Sequence, residues 1–122
     1  MLESQKQFLE DTNEQAAVFS ALADPTRLKL VKLLCRQHDP DALCVNALAS
    51  LLGVTQSAVS QHLRVLRAIG LVKGERRGYH IHYFVNPEVL KRCRDLVSAP
   101  LTIEEPGKEE ETCEKYCPIR RE

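Results

Sequence analysis

A chain of 122 residues with 43% hydrophobic but only 5% aromatic side chains suits one small domain with an aliphatic, mainly helical core. It has no apolar run of about 18 residues, and residues 1–15 are polar and acidic, so we expect neither a membrane span nor a secretory signal and place the protein in the cytoplasm. The net charge is zero, yet residues 24–94 hold 12 basic and 5 acidic side chains, the balance expected of a phosphate-binding surface.

Two helices are predicted in the first third of the chain. Residues 5–22 favour a helix, because four side chains recur about once per turn: Phe8, Thr12, Ala16 and Phe19. Asp24 can cap a second helix, and Pro25 needs no N–H partner at its first position. This second helix runs to about Gln37 and is expected to turn four side chains inward: Leu28, Val31, Leu34 and Cys35.

The middle of the chain has the spacing of two helices joined by a tight turn. A short helix over about residues 45–52 ends at Gly53. Thr55 can cap the next helix, which runs from about Gln56 to Ala68 and stops at Gly70. This spacing is typical of a helix-turn-helix, whose second helix enters the major groove of DNA.

The second of these helices has two different faces. Val59, Leu63 and Leu66 form an apolar stripe, while the opposite face carries small hydroxyls, amides and one arginine but no acid. Amides pair with adenine and arginine pairs with guanine, so this face predicts base reading rather than simple solvation. The predicted DNA contacts are Gln56, Ser57, Ser60, Gln61 and Arg64. His62 lies on the apolar side, where we expect a half-buried, hydrogen-bonded histidine.

A basic hairpin follows at once. Residues 71–76 and 79–85 read as strands joined through Arg77-Gly78, with Gly74 as a second glycine of the hairpin tip. Such a wing can lie against phosphates or reach the minor groove, and its predicted contacts are Arg76, Arg77 and Tyr79. Asn86-Pro87 then begins a last helix that extends to about Ser98.

These elements predict a mainly α fold with a β-hairpin wing, that is, a winged helix-turn-helix of about five helices. Residues 1–99 are expected to form the DNA-binding and dimerisation domain. Beyond it the sequence is acidic and poor in large apolar residues, so residues 100–122 are expected to form a flexible tail that contains cysteines.

Two segments carry a family resemblance. SQHLRVLRAIGLVKGERRGYHIHYFV, residues 60–85, and ALADPTRLKLVKLL, residues 21–34, resemble the ArsR/SmtB family of metal- and stress-responsive repressors, and the resemblance extends over about residues 14–98. It implies a homodimer through the first and last helices that presents two recognition helices to double-stranded operator DNA. It also implies repression that an inducer relieves.

The same resemblance bears on the inducer. Arsenic and lead/cadmium sensors of the family carry Cys-Val-Cys at the start of the third helix, whereas this chain has Cys44-Val45-Asn46 and retains only the first cysteine. Zinc and nickel/cobalt sensors use Asp and His in the last helix, and the last helix here, residues 87–98, has no histidine. The resemblance therefore excludes the second type of site and leaves the first incomplete.

The five cysteines offer a different site, and an odd number of them in a reducing compartment points to thiols or metal ligands rather than disulfides. Cys113 and Cys117 are four residues apart, so one helical turn would bring both sulfurs to one face. A third thiolate could come from Cys93 or Cys44. Three thiolates suit As(III) or Sb(III) or a soft divalent metal, and a fourth ligand would suit zinc or cadmium.

The predicted function is a sequence-specific transcriptional repressor, released from its operator by a thiophilic inducer and requiring no cofactor. One alternative keeps the fold but senses redox state or persulfides through two cysteines. A further alternative is a DNA-binding or interaction module without an inducer. An enzyme is not expected, because the sequence has no glycine-rich phosphate loop and no credible Ser/His/Asp arrangement.

Overall fold

The elements follow the predicted order along the chain. The computed structural model describes residue 6 and residues 9–38, 42–103 and 113–117. Phe8, most of the tail and the break at residues 39–41 lie outside these residues. The elements are α1 Thr12–Leu22, α2 Pro25–Arg36, β1 Leu43–Cys44, α3 Val45–Leu52, α4 Gln56–Ala68, β2 Val72–Arg77, β3 His80–Val85, α5 Pro87–Ser98, a 3-10 turn Ala99–Leu101 and a single helical turn Cys113–Tyr116.

The predicted helix boundaries are confirmed by the capping side chains. The Asp24 carboxylate accepts hydrogen bonds from two backbone N–H groups at 2.8 and 3.0 Å, and Asn86 does the same at the start of α5 at 3.1 and 3.4 Å. The Thr55 hydroxyl accepts from the N–H of Ala58 at 3.0 Å. Gly53 ends α3 with a φ of 67°, a left-handed conformation that costs glycine little. The turn between α3 and α4 is thus fixed from both sides.

The core is aliphatic, as the composition predicts, and it lies beneath α4. The stripe of Val59, Leu63 and Leu66 is fully buried and confirms the predicted inner face of this helix. Three further leucines are fully or almost fully buried with it, one on α2, one on α3 and one directly before β2: Leu30, Leu48 and Leu71. No helix in the described part of the chain has the length and apolar character needed to cross a membrane.

The wing belongs to a three-stranded antiparallel sheet with the order β1-β3-β2. The short strand β1 was not predicted from the sequence, and it pairs Leu43 with Tyr83 and Cys44 with His82. The Gln37 side chain holds this strand in place, because its carbonyl accepts from the N–H of Leu43 at 3.0 Å and its amide donates to the Tyr83 carbonyl. β1 therefore connects the β2–β3 wing to the helices.

The placement of Gly74 at the hairpin tip was wrong. Gly74 lies inside β2, opposite Tyr83, and the tight turn consists of Gly78 and Tyr79, with a φ of 66° at Gly78. A Cβ atom at residue 74 would stand 2.9 Å from Ile81 Cγ2 and 3.2 Å from Tyr83 Cε1. Glycine is favoured there because the side chains of Ile81 and Tyr83 fill the space beside residue 74, and not because the chain turns.

Two side chains of α2 were wrongly predicted to point inward. Leu28 and Cys35 are exposed, whereas Leu30, Val31 and Leu34 are buried. At 100° per residue, Leu28 and Cys35 each lie about a quarter turn from the centre of the buried stripe, so they border it without entering it.

The predicted stripe of α1 is also exposed on the protomer. Thr12, Ala16 and Phe19 face outward, and the residues that α1 buries are Gln15, Val18 and Ala21. This helix packs on α5, where the Arg92 guanidinium contacts the Glu14 carboxylate at 2.7 and 3.0 Å. The pair of helices therefore leaves an outer face that is partly apolar.

Candidate nucleic-acid interface

The outer face of α4 is open along its length. The leucine stripe holds the opposite side in the core, and the first turn contains no acidic residue that would repel phosphate. Polar side chains of three kinds, amide, hydroxyl and guanidinium, therefore stand together on one accessible surface. All five predicted base contacts are exposed on it: Gln56, Ser57, Ser60, Gln61 and Arg64.

A neighbouring polar surface on α3 was not predicted from the sequence. A shallow groove runs along the turn between α3 and α4, and the exposed Asn46 and Ser50 line it together with Thr55 and Gln56. The signal was available, because Asn46 and Ser50 are four residues apart and so share a face of α3, opposite the buried Leu48. These two side chains extend the candidate interface beyond α4.

The wing places its three predicted contacts in different surroundings. Arg76 and Tyr79 are exposed, Tyr79 almost completely. Arg77 is half-buried, with its guanidinium carbon 4.8 Å from the centre of the Phe84 ring and its Nε 3.7 Å from a Glu75 carboxylate oxygen. Adjacent strand residues point to opposite faces, so Arg76 and Arg77 extend from opposite faces of β2.

We expect Arg76→Ala to weaken DNA binding about uniformly across sequences and to lower the salt dependence of binding by about one phosphate contact per protomer. The measurement is the slope of log Kd against log salt concentration. Arg77→Ala is the matched control, because that guanidinium packs on Phe84 and pairs with Glu75. An unchanged slope for Arg76→Ala would contradict the phosphate contact.

His62 occupies the position predicted for it. It is half-buried on α4, and its Nδ1 lies 3.2 Å from an Nη atom of Arg27 on α2. Its Nε2 lies 3.9 Å from the Asp24 carboxylate. The expectation of a half-buried, hydrogen-bonded histidine is therefore confirmed.

The candidate thiol ligands are spread over three parts of the protomer. Cys44 is half-buried directly before α3, Cys93 on α5 is only 5% exposed, and Cys113 and Cys117 are exposed. The backbone N–H of Cys117 donates to the Cys113 carbonyl at 2.6 Å, so these two cysteines are one helical turn apart. Among the residues that the structure describes, no three His, Cys, Asp or Glu side chains are grouped so that they could hold a metal ion.

The surroundings of the Cys93 thiol raise its pKa. Burial raises its pKa, the nearby Glu14 carboxylate raises it further, and the Arg92 guanidinium offsets part of this. The thiolate is the form that binds soft metals and attacks electrophiles. Cys93 in this protomer should therefore bind a metal ion less readily than an exposed thiol would.

The arrangement of α3, the turn, α4 and the β2–β3 hairpin defines a winged helix-turn-helix protein, which confirms the predicted fold class. The sequence profile of bacterial regulatory proteins of the ArsR family matches residues 24–73. A solved structure described as a possible transcriptional regulator for arsenical resistance is 35% identical, with a TM-score of 0.62, and the match covers 70% of this chain and 85% of that one. The chain belongs to the ArsR family of bacterial regulatory proteins.

Two other relatives extend this finding. A transcriptional repressor SmtB homologue of Synechocystis sp. is 47% identical over 75 residues, which are 62% of this chain and 54% of the relative. The homodimeric winged helix-turn-helix DNA-binding domain of a Mycobacterium bovis protein shares the fold at 24% identity, with a TM-score of 0.58 and coverage of 90% and 97%. The chain spans about half the length of the first curated relatives that it matches. The names of these relatives describe a transcriptional repressor and a DNA-binding domain.

Proposed function

We propose that this protein is a sequence-specific transcriptional repressor that binds double-stranded operator DNA as a homodimer. The observation that carries the proposal is α4, whose apolar stripe is fully buried while its amide, hydroxyl and arginine side chains are exposed. A helix held in this way can be inserted into the major groove with its reading face forward. Residues 1–99 would form the DNA-binding and dimerisation domain, and residues 100–122 the tail.

The dimer contact is proposed for the outer face of α1 and α5. Phe19 on α1 is 39% exposed on the protomer, and Leu90 and Val97 on α5 are half-buried at the edge of the core. A two-fold axis through this face would set two α4 helices about one turn of DNA apart, so that each dimer reads a two-fold related site.

We expect Phe19→Glu to shift the protein from dimer to monomer, because it places a charge within an apolar contact. Sedimentation velocity across a range of protein concentrations measures this shift. Ala17→Glu is the matched control, because Ala17 is exposed on the same helix but lies nearly half a turn away from Phe19. A Phe19→Glu protein that sediments as wild type would exclude this dimer face.

The proposed inducer is a thiophile, As(III) or Sb(III) or a soft divalent metal, bound through Cys113 and Cys117 with Cys93 or Cys44. Two exposed thiols one helical turn apart supply two ligands on one side. Since the described residues of one protomer do not group three ligands, the third thiolate would have to come from the other protomer or follow a movement of the chain. The arsenical resistance named for a solved relative supports this class of inducer.

The test is fluorescence anisotropy with duplexes that cover the DNA upstream of the protein's own gene, titrated with arsenite, antimonite, cadmium, zinc or a polysulfide. We expect specific binding that one soft thiophile abolishes. The double substitution Cys113→Ser with Cys117→Ser should preserve DNA binding and remove the response. Cys35→Ser is the matched control and should respond as wild type does. Full release of the double variant would exclude the tail site.

A thiol redox sensor of the same fold is the second candidate. It is favoured because two exposed thiols, Cys113 and Cys117, lie one turn apart while the described residues group no three metal ligands. Two thiols suffice for a reversible disulfide or polysulfide bridge. In the same assay, release by diamide or polysulfide that dithiothreitol reverses, without any response to metals, would select this candidate.

A further inference from the structure

One arginine connects three helices near the start of α2. The Nε of Arg27 donates to the Ala21 carbonyl at 2.7 Å, and one Nη donates to the Ser20 carbonyl at 3.3 Å. Its other Nη lies 3.2 Å from Nδ1 of His62 on α4. Arg27 thus contacts the end of α1 and the middle of α4 from its own place in α2.

The contacts of Arg27 with α1 satisfy carbonyl groups at the end of that helix. The last carbonyl groups of a helix have no partner within it, and a cation near them is favourable. The last turn of α1 contains no basic side chain of its own. Arg27 supplies the missing cation from the next helix, and its planar guanidinium fixes the direction in which the remaining N–H groups point.

The contact to α4 is directional as well. A guanidinium can only donate, so Nδ1 of His62 accepts, and the imidazole proton is on Nε2. That proton is directed to the side of Asp24, whose carboxylate is 3.9 Å away and caps α2 through the N–H groups of Thr26 and Arg27. The His62 side chain is 21% exposed, so its contact with Arg27 is largely shielded from solvent.

The leucine stripe fixes which side of α4 faces the core, because a large rotation of the helix would expose these buried side chains. Apolar attraction is largely non-directional, so a small rotation is opposed best by a directional contact. His62 is half-buried beside this stripe and is next to the reading residue Gln61 in sequence. A hydrogen bond to His62 is such a directional contact.

We infer that Arg27 is a positioning residue for DNA reading: it sets the rotation of α4 through His62 and links that rotation to the end of α1. The inference rests on the proposed DNA-binding function and deepens it. Since α1 belongs to the proposed dimer face, the link also joins the dimer contact to the reading helix. Neither residue has to touch DNA for this role.

The test compares His62→Leu with His62→Asn. Leucine keeps the bulk, is a better helix former than histidine and cannot accept a hydrogen bond, whereas the Asn Oδ1 can take the place of Nδ1. Arg27→Met is a third variant, which keeps a long unbranched side chain but cannot donate to His62 or to the α1 carbonyls. Each protein is measured with the upstream duplex that wild type binds best and with a shuffled duplex of equal length and composition. Hydrogen exchange of the α4 amides is measured without DNA.

We expect His62→Leu to bind the upstream duplex about tenfold more weakly, the upper range for one hydrogen bond, with less than about a twofold change on the shuffled duplex. His62→Asn should recover most of this loss. The α4 amides should exchange faster in His62→Leu and as slowly as wild type in His62→Asn. Three outcomes would each overturn the inference. They are unchanged specific binding by His62→Leu, equal losses in His62→Leu and His62→Asn, and equal exchange of the α4 amides in these two variants and wild type.

The two proposals fail in different ways. A wild-type protein that binds no upstream duplex more tightly than the shuffled one would overturn the proposed function. Hydrogen exchange of the α4 amides is measured without DNA, so it would still test whether the Arg27–His62 contact restrains α4.

Discussion

Replacing Arg64 with alanine should weaken operator binding by about 100-fold or more. An arginine that pairs with a guanine through two hydrogen bonds contributes about 1–3 kcal/mol of discrimination, and a dimer would lose this pair in both half-sites. Arg64 is exposed at the centre of the reading face of α4, and alanine preserves the helix there. The loss should therefore come from the contact and not from the fold.

Anisotropy on the upstream duplex and on the shuffled duplex measures this loss. Lys32→Ala is the matched control, because Lys32 is exposed on α2, outside both the reading face and the proposed dimer face, and its removal changes the net charge by the same amount. The control should remain within about threefold of wild type, the scale of a general electrostatic change. Equal losses for Arg64→Ala and Lys32→Ala would mean that Arg64 does not read a base.

Replacing Leu63 with alanine should lower the free energy of unfolding by about 3 kcal/mol. Leu63 is 1% exposed and lies in the middle of the stripe that attaches α4 to the core. Removal of a buried leucine loses the transfer free energy of the side chain and leaves a cavity. A loss of this size is a large part of the stability of a small domain, and it corresponds to a fall in Tm of roughly 10–20 °C.

Urea unfolding at one fixed protein concentration measures the change, since dissociation of a dimer makes unfolding depend on concentration. Val65→Ala is the matched control on the same helix, because Val65 is 37% exposed and fills no interior space. It should change the free energy of unfolding by about 0.5 kcal/mol or less. Similar effects of the two substitutions would contradict the burial pattern of α4.

The elements that sequence reasoning placed correctly depend on local chemistry. Asp24, Thr55 and Asn86 cap helices through N–H groups two or three residues away, and Gly53 ends α3 by its own conformation. The two faces of α4 follow from the helical period alone. Information of this kind is contained in short segments, so it can be read without knowing the fold.

Most of the features that were missed depend on contacts between distant segments, whereas the polar face of α3 follows from a local spacing. β1 has only two residues and exists because β3 pairs with it, and Gly74 faces the side chains of Ile81 and Tyr83 from across the hairpin. The position of Arg77 over Phe84 follows from the cross-strand register, and the bond between Arg27 and His62 spans 35 residues. The spacing of residues within one segment cannot predict these contacts.

The direct passage from β1 into α3 has a consequence for the thermodynamics of recognition. Cys44 is both the last residue of the strand and the cap position of the helix, and β1 is bonded to the same β3 strand that supports the wing. The wing and the helix-turn-helix therefore form one preorganised body within each protomer. The conformational entropy of holding them at a fixed spacing is lost when the chain folds, so little of it remains to oppose complex formation.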